Sequence, residues 1–139
     1  MRLQPIVERL SAIRSLVTTG GGLEFLALKQ LPSRLPAGYA VAGDESATLS
    51  NRANPVIDQK VTSTFDIYLI IPLGRDGAKG VSEAAHDLED AVKDHFIGWT
   101  HPDANAPSQF VTVSTASVDG TALCRVLRFT SSYHIRKAP

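Results

Sequence analysis

Cysteine is nearly absent: Cys124 is the one thiol in 139 residues, so no disulfide closes within the chain, and a reducing compartment such as a cytoplasm suits it. Net charge is absent too. Fourteen basic residues balance fourteen acidic ones, which removes the bulk attraction that draws proteins to nucleic acid or to anionic membranes. Aromatic residues make up only 6% of the chain, leaving few platforms on which bases would stack. No uninterrupted apolar run approaches the roughly 20 residues that span a bilayer, and Met1 to Val17 lacks the apolar centre of a signal peptide. Internal repeats, low-complexity segments and an interdomain linker are missing as well. What remains is 43% hydrophobic and 20% charged, a globular composition long enough to bury a core as one domain, residues 1–139.

Chemical machinery is equally sparse. The histidines are His86, His95, His101 and His134, with no HExxH or CxxC spacing among them or around Cys124. His86 and His95 are nine apart, about 900 degrees around a helix, and so point to opposite sides. Asp87, Asp90 and Asp94 share a helix face, which reads as a solvated acidic surface because hard cations usually draw oxygens from loops as well. Cys124 lies in an apolar strand and reads as a small buried side chain. No serine sits in a GxSxG elbow, and Gly20-Gly21-Gly22 follows a helix instead of opening one after a strand, so it reads as a terminator. The expectation is no catalytic residue, no metal and no cofactor. An enzyme with a dispersed site would have to be built on the histidines.

What is present is periodicity. In Val81 to Trp99, Val81, Ala85, Leu88, Val92, Phe96 and Trp99 recur at helical spacing, opposite Glu83, Asp87, Glu89, Asp90 and Asp94. Gly98 and Pro102 are its stop signals, and Asp76 or Ser82 its candidate N-cap. Upstream, Leu3, Ile6, Leu10, Ile13 and Val17 predict a first amphipathic helix over Leu3 to Val17, closed by Thr18 to Gly22. Leu23 to Leu31 reads as a short helix, with a strand as the alternative. Gly38 to Gly43 is a short buried strand. The polar run from Asp44 to Pro55, DESATLSNRANP, has neither period and predicts a long projecting loop at about 44–55.

Val56 to Ile71 is the clearest strand, with Val61, Phe65, Ile67, Leu69 and Ile71 on one face. Phe110 to Val118 and the segment after Asp119-Gly120 predict a hairpin. A two-residue loop there sets Phe110 opposite Phe129, Thr112 opposite Leu127, Ala116 opposite Leu123 and Val113 opposite Val126. Both faces of that hairpin carry apolar residues, so one helical layer leaves a second face for another subunit to close. The fold class predicted is α+β in two layers: a mixed, mostly antiparallel sheet of about four strands, with the N-terminal helix and a long central helix on one face.

Charge is unevenly placed. Val81 to Trp99 holds five acids and one lysine, whereas Thr121 to Pro139 holds Arg125, Arg128, Arg136 and Lys137 with no acid. These charges either steer one copy against its neighbour head to tail or pair within one subunit.

The order of segments PIVERLSAIRSLV, LEFLAL, GYAVAGDES, VTSTFDIYLII, HDLEDAVKDHFIGWTHP and RFTSSYHIR resembles the tail terminator, or tail-completion, proteins of long-tailed bacteriophages, in particular those of Mu-like phages and prophages. The most specific part is Leu88 to Pro102, a helix closing on Gly98-Trp99-Thr100 and Pro102 after a strand that begins Val61-Thr62 and reaches Phe65. The resemblance implies a structural protein without turnover, assembled in the host cytoplasm into the virion tail. It implies a ring, commonly of six copies, that caps the tail tube, ends tube polymerisation and offers a head-joining surface. The partners implied are further copies of the chain, the tail tube protein and a head-tail connector or neck protein, with no membrane and no specific nucleic-acid binding. Candidate interface residues are Glu45, Asn51 and Arg52 in the loop and Arg125 and Arg128 on the terminal strand. A head-completion or neck component of similar size is the nearest alternative.

Overall fold

The computed structural model describes residues 1–28, 32–50, 55–73, 77–118 and 122–138, with 24, 77–82 and 118 described by their backbone alone. Helix α1 (Gln4–Ser11) is followed by strand β1 (Thr18–Gly21), a short helix α2 (Gly22–Leu26), and strands β2 (Ala37–Ala47) and β3 (Ile57–Pro72). Helix α3 (Gly77–Phe96) and strands β4 (Gln109–Val118) and β5 (Ala122–Lys137) complete the chain. The five strands form one sheet in the order β1-β2-β3-β5-β4, with only β1 and β2 parallel. The fold is α+β, as the periodicities imply, with one strand more than they reveal. That strand, TTGG, has no apolar period and rests on its parallel pairing with Ala37 to Ala40.

Helices α1 and α3 lie on one face of the sheet. Ile6 and Leu10 from α1 and Ala85, Leu88, Val92 and Phe96 from α3 meet Phe65, Ile67, Leu69, Ile71, Leu127 and Phe129 in one core. At its centre Phe65, Phe96 and Phe129 enclose a triangle with ring centroids 5.4 to 5.6 Å apart, and Trp99 and Phe110 add edge contacts to it. Helix α1 is shorter than its apolar spacing suggests, stopping at Ser11. Turns then carry Ile13 and Leu16 into the core, so Leu16 is buried and Val17 is 54% exposed. Helix α3 ends as predicted: Gly98 takes a φ of 83°, the left-handed conformation that a glycine adopts without strain, and its amide donates to the Ser108 carbonyl. Glu89, expected on the solvated side, is 3% exposed and faces the sheet.

The opposite face, expected to be partly apolar, is apolar mainly at one end. It holds a small cluster, Ala37, Tyr39, Ile70 and Ala122, over which α2 lays Phe25 against Tyr39 and Tyr68. Beyond α2 the register brings hydroxyls to that face, among them Thr62, Thr64, Ser114 and Thr130, around Asp66 and Arg128. Two bulges in β4, one between Phe110 and Thr112 and one between Thr115 and Ser117, take Val113 off that face. Phe110 meets Phe129 as expected, but Val113 then faces Leu127 and Thr112 faces Arg128, one residue away from the predicted pairs, and Val118 takes the place opposite Leu123 expected for Ala116. The Asp119-Gly120 turn and the Asp76 and Ser82 caps lie outside the described residues or side chains.

Candidate functional site

The polar stretch predicted as a loop from Asp44 is strand as far as Ala47, because β2 absorbs one extra residue in a bulge between Ala42 and Glu45. The bulge turns Glu45 toward the helical side. There its carboxylate accepts from the Ser63 hydroxyl at 3.0 Å and the Tyr133 hydroxyl at 2.9 Å, and it also pairs with the amino group of Met1. The Met1 amino group first, then Tyr133 and Ser63, hold Glu45 below the usual carboxylate range against its partial burial. Glu45 raises the Tyr133 phenol in return. Glu45 therefore stands in a strand and not in a loop, and its carboxylate ties β2, β3 and β5 together.

A second tie holds the chain beside it. Arg2 donates to Asp103 through Nη2 at 2.7 Å, Nε at 3.2 Å and its backbone amide at 3.1 Å, which drives the Asp103 carboxyl well below its ordinary value. His101, fully buried, lies 2.6 Å from the Arg2 carbonyl through Nε2 and accepts the Asp103 amide at Nδ1, so Nε2 carries the hydrogen. Nothing in the periodicity of the sequence marks His101 as buried. Its place in THPD, directly after the helix stop, was the available signal.

The two predicted strand contacts are also engaged within the chain. Arg125 donates to Glu89 at 2.7 Å and to the Thr115 hydroxyl at 2.9 Å, joining β5 to α3 and β4. Arg128 grips Asp66 with two hydrogen bonds of 2.9 and 3.2 Å across the open face. The internal pairing of helix and terminal strand thus accounts for part of the charge asymmetry. Asn51 and Arg52 lie outside the described residues.

The histidines do not converge: His86 is exposed on α3, His95 donates to the Ala91 carbonyl, His101 is buried, and His134 is 3.3 Å from Asp58. Among the described residues no group of three or more His, Cys, Asp or Glu is placed to hold a metal ion. Burial raises the Cys124 thiol, which weakens it as a nucleophile. A cavity of about 360 Å³ opens beside Glu45, lined by Leu3, Ile6, Gly43 and Phe65 among others.

The surface itself is more informative. Strands β3 and β5 each have 16 residues, about 50 Å of extended chain, whereas the 20 residues of α3 span about 30 Å. Past the last pairs of β2 and β4, and past the Met1–Glu45 tie, β3 and β5 run on as a two-stranded arm, Ile57–Lys60 beside His134–Lys137. On this overhang Leu49 is 88% exposed, and Ile57 and Ile135, diagonal neighbours across β3 and β5, are nearly half exposed. At the other end of the sheet Leu23 and Leu26 stand out from α2. These apolar positions were invisible in the sequence because their exposure depends on where the helices stop.

A family model described as phage tail terminator protein matches residues 1–139. Among solved structures, a chain in the virion of a native gene transfer agent particle is similar in fold, with a TM-score of 0.54 and 16% identity, over 92% of this chain and 90% of that one. No sequence among the curated proteins matches. No described helix is long and apolar enough to cross a membrane. The family match spans every element from α1 to β5, and the chain belongs to the phage tail terminator protein family, with a structural role in tail assembly.

Proposed function

We propose that this protein closes the tail tube of a phage or prophage as a ring, commonly of six copies, halting tube polymerisation and giving the head a surface to join. The match of the tail terminator family to residues 1–139 carries this reading. One feature of the molecule supports it. Exposed apolar residues occupy both ends of the sheet, Leu23 and Leu26 at one and Leu49, Ile57 and Ile135 at the other. Contacts between unlike surfaces of identical copies generate rings when the rotation closes. The charged residues Glu45, Arg125 and Arg128 tie the fold together and, being partly exposed, remain candidates for contact with a neighbouring copy.

The partners are then further copies of the chain, the tail tube protein and a head-tail connector or neck protein, met in the host cytoplasm and retained in the virion tail. The test is to add purified protein to polymerising tube protein from the same phage or prophage and to measure tube lengths by electron microscopy. Tubes that stop growing, with protein at one end, are expected. Tubes that lengthen as they do without the protein overturn the reading.

A further inference from the structure

The overhanging arm of the sheet has cations as well as apolar residues. Lys60 on β3 and Arg136 and Lys137 on β5 have no carboxylate partner within 4.0 Å among the described residues. Asp58 stands opposite Arg136 in the register and close to His134, and the arm keeps a net positive charge with these two counted. Helix α3 is the complement. Glu83, Asp87, Asp90, Asp94 and Ile97 fall at intervals of four, three, four and three, so they form one outward stripe, and all five are exposed. With Glu89 turned inward to Arg125, none of the four stripe carboxylates has an ion-pair partner among the described residues. Lys93, the nearest base on the helix, lies 4.6 Å over the Phe110 ring.

We propose that the arm of one copy lies along the acidic stripe of α3 in the next copy by the face that carries Ile57, Ile135 and Lys137, with Ile57 and Ile135 against Ile97 and with Lys137 facing Asp90 and Asp94. The contact rests on the ring reading and identifies the surfaces that make the ring. Lengths agree: the arm from Ile57 to Lys60 is about 10 Å long, and the stripe from Asp90 to Ile97 spans about 10 Å. Chemistry agrees at both parts, since the stripe ends in an apolar residue that is 50% exposed, as the arm does. Arm and stripe are different surfaces of one chain, so the contact is heterologous and propagates around a ring. Charge opposed to charge also sets the register and speeds encounter.

Charge reversal tests it. Arg136→Glu with Lys137→Glu makes the arm acidic, and Asp90→Lys with Asp94→Lys makes the end of the stripe beside Ile97 basic. Sedimentation velocity, alone and with tail tubes, reads assembly, and circular dichroism confirms folding. Each double variant is expected to weaken self-association at least about tenfold. Mixing the two variants in equal amounts is expected to restore it, because each arm then finds a stripe of opposite sign on the other variant. A wild-type ring that neither reversal disturbs overturns this contact and leaves the ring reading standing. Reversals that weaken assembly but are not rescued by mixing overturn the contact as well. A wild-type chain that remains monomeric alone and at tube ends overturns both.

Discussion

Glu89 and Arg125 show how two partners of one ion pair respond differently to loss. Glu89 is 3% exposed, so removing Arg125 leaves a buried carboxylate without its cation, whereas Arg125 keeps the Thr115 hydroxyl and access to water when Glu89 is changed. Arg125→Leu is expected to cost about 2–3 kcal/mol and Glu89→Gln about 1 kcal/mol, measured by urea unfolding. Equal costs would mean that the carboxylate is not sequestered. At this scale the sequence is a poor guide to inside and outside. Glu89 has the helical spacing of Ala85 and Val92 as much as that of its acidic neighbours, and only Arg125 arriving from β5 makes an inward carboxylate tolerable.

Among the elements, β3 was legible because Phe65, Ile67, Leu69 and Ile71 occupy every second place, and α3 because its apolar stripe runs for four turns to Phe96. Strand β1 was not legible, since its pairing with β2 is a tertiary fact that TTGG does not encode. Bulges account for the other discrepancies: they move β4 out of its predicted register and extend β2 through residues that look like loop. The arm is hidden in sequence too, because it is defined by where β2 and β4 stop pairing with β3 and β5. In the β2 bulge, a Cβ on Gly43 would lie 2.9 Å from the Thr64 carbonyl oxygen, a backbone atom with little room to move. Gly43→Ala is therefore expected to destabilise by about 1–3 kcal/mol, read as a lower urea midpoint with an unchanged slope.

For the molecule as a whole, acid is the condition that should undo it first. Glu45 and Asp103 titrate below their unfolded values, so each contributes stability above the ordinary carboxylate range near pH 4, and that contribution fades as the pH falls through the folded-state values. Tyr133, shifted upward, contributes below about pH 10 and loses its contribution above that. A thermal melt series is expected to fall on the acid side, and Asp103→Asn to flatten that fall while lowering the melting temperature at neutral pH. An acid limb identical in the variant would show that the Arg2 tie has no part in it. The bulge between Ala42 and Glu45 bears on how such a protein tolerates insertions and deletions. Gly43 and Asp44 together occupy the place opposite Thr64, so loss of Asp44 leaves a regular strand in which Glu45 still faces Tyr133. Loss of Ala40 instead turns the strand inside out up to the bulge. Strand β2 thus carries one dispensable position amid indispensable ones, a place where the chain can change length without losing its phase.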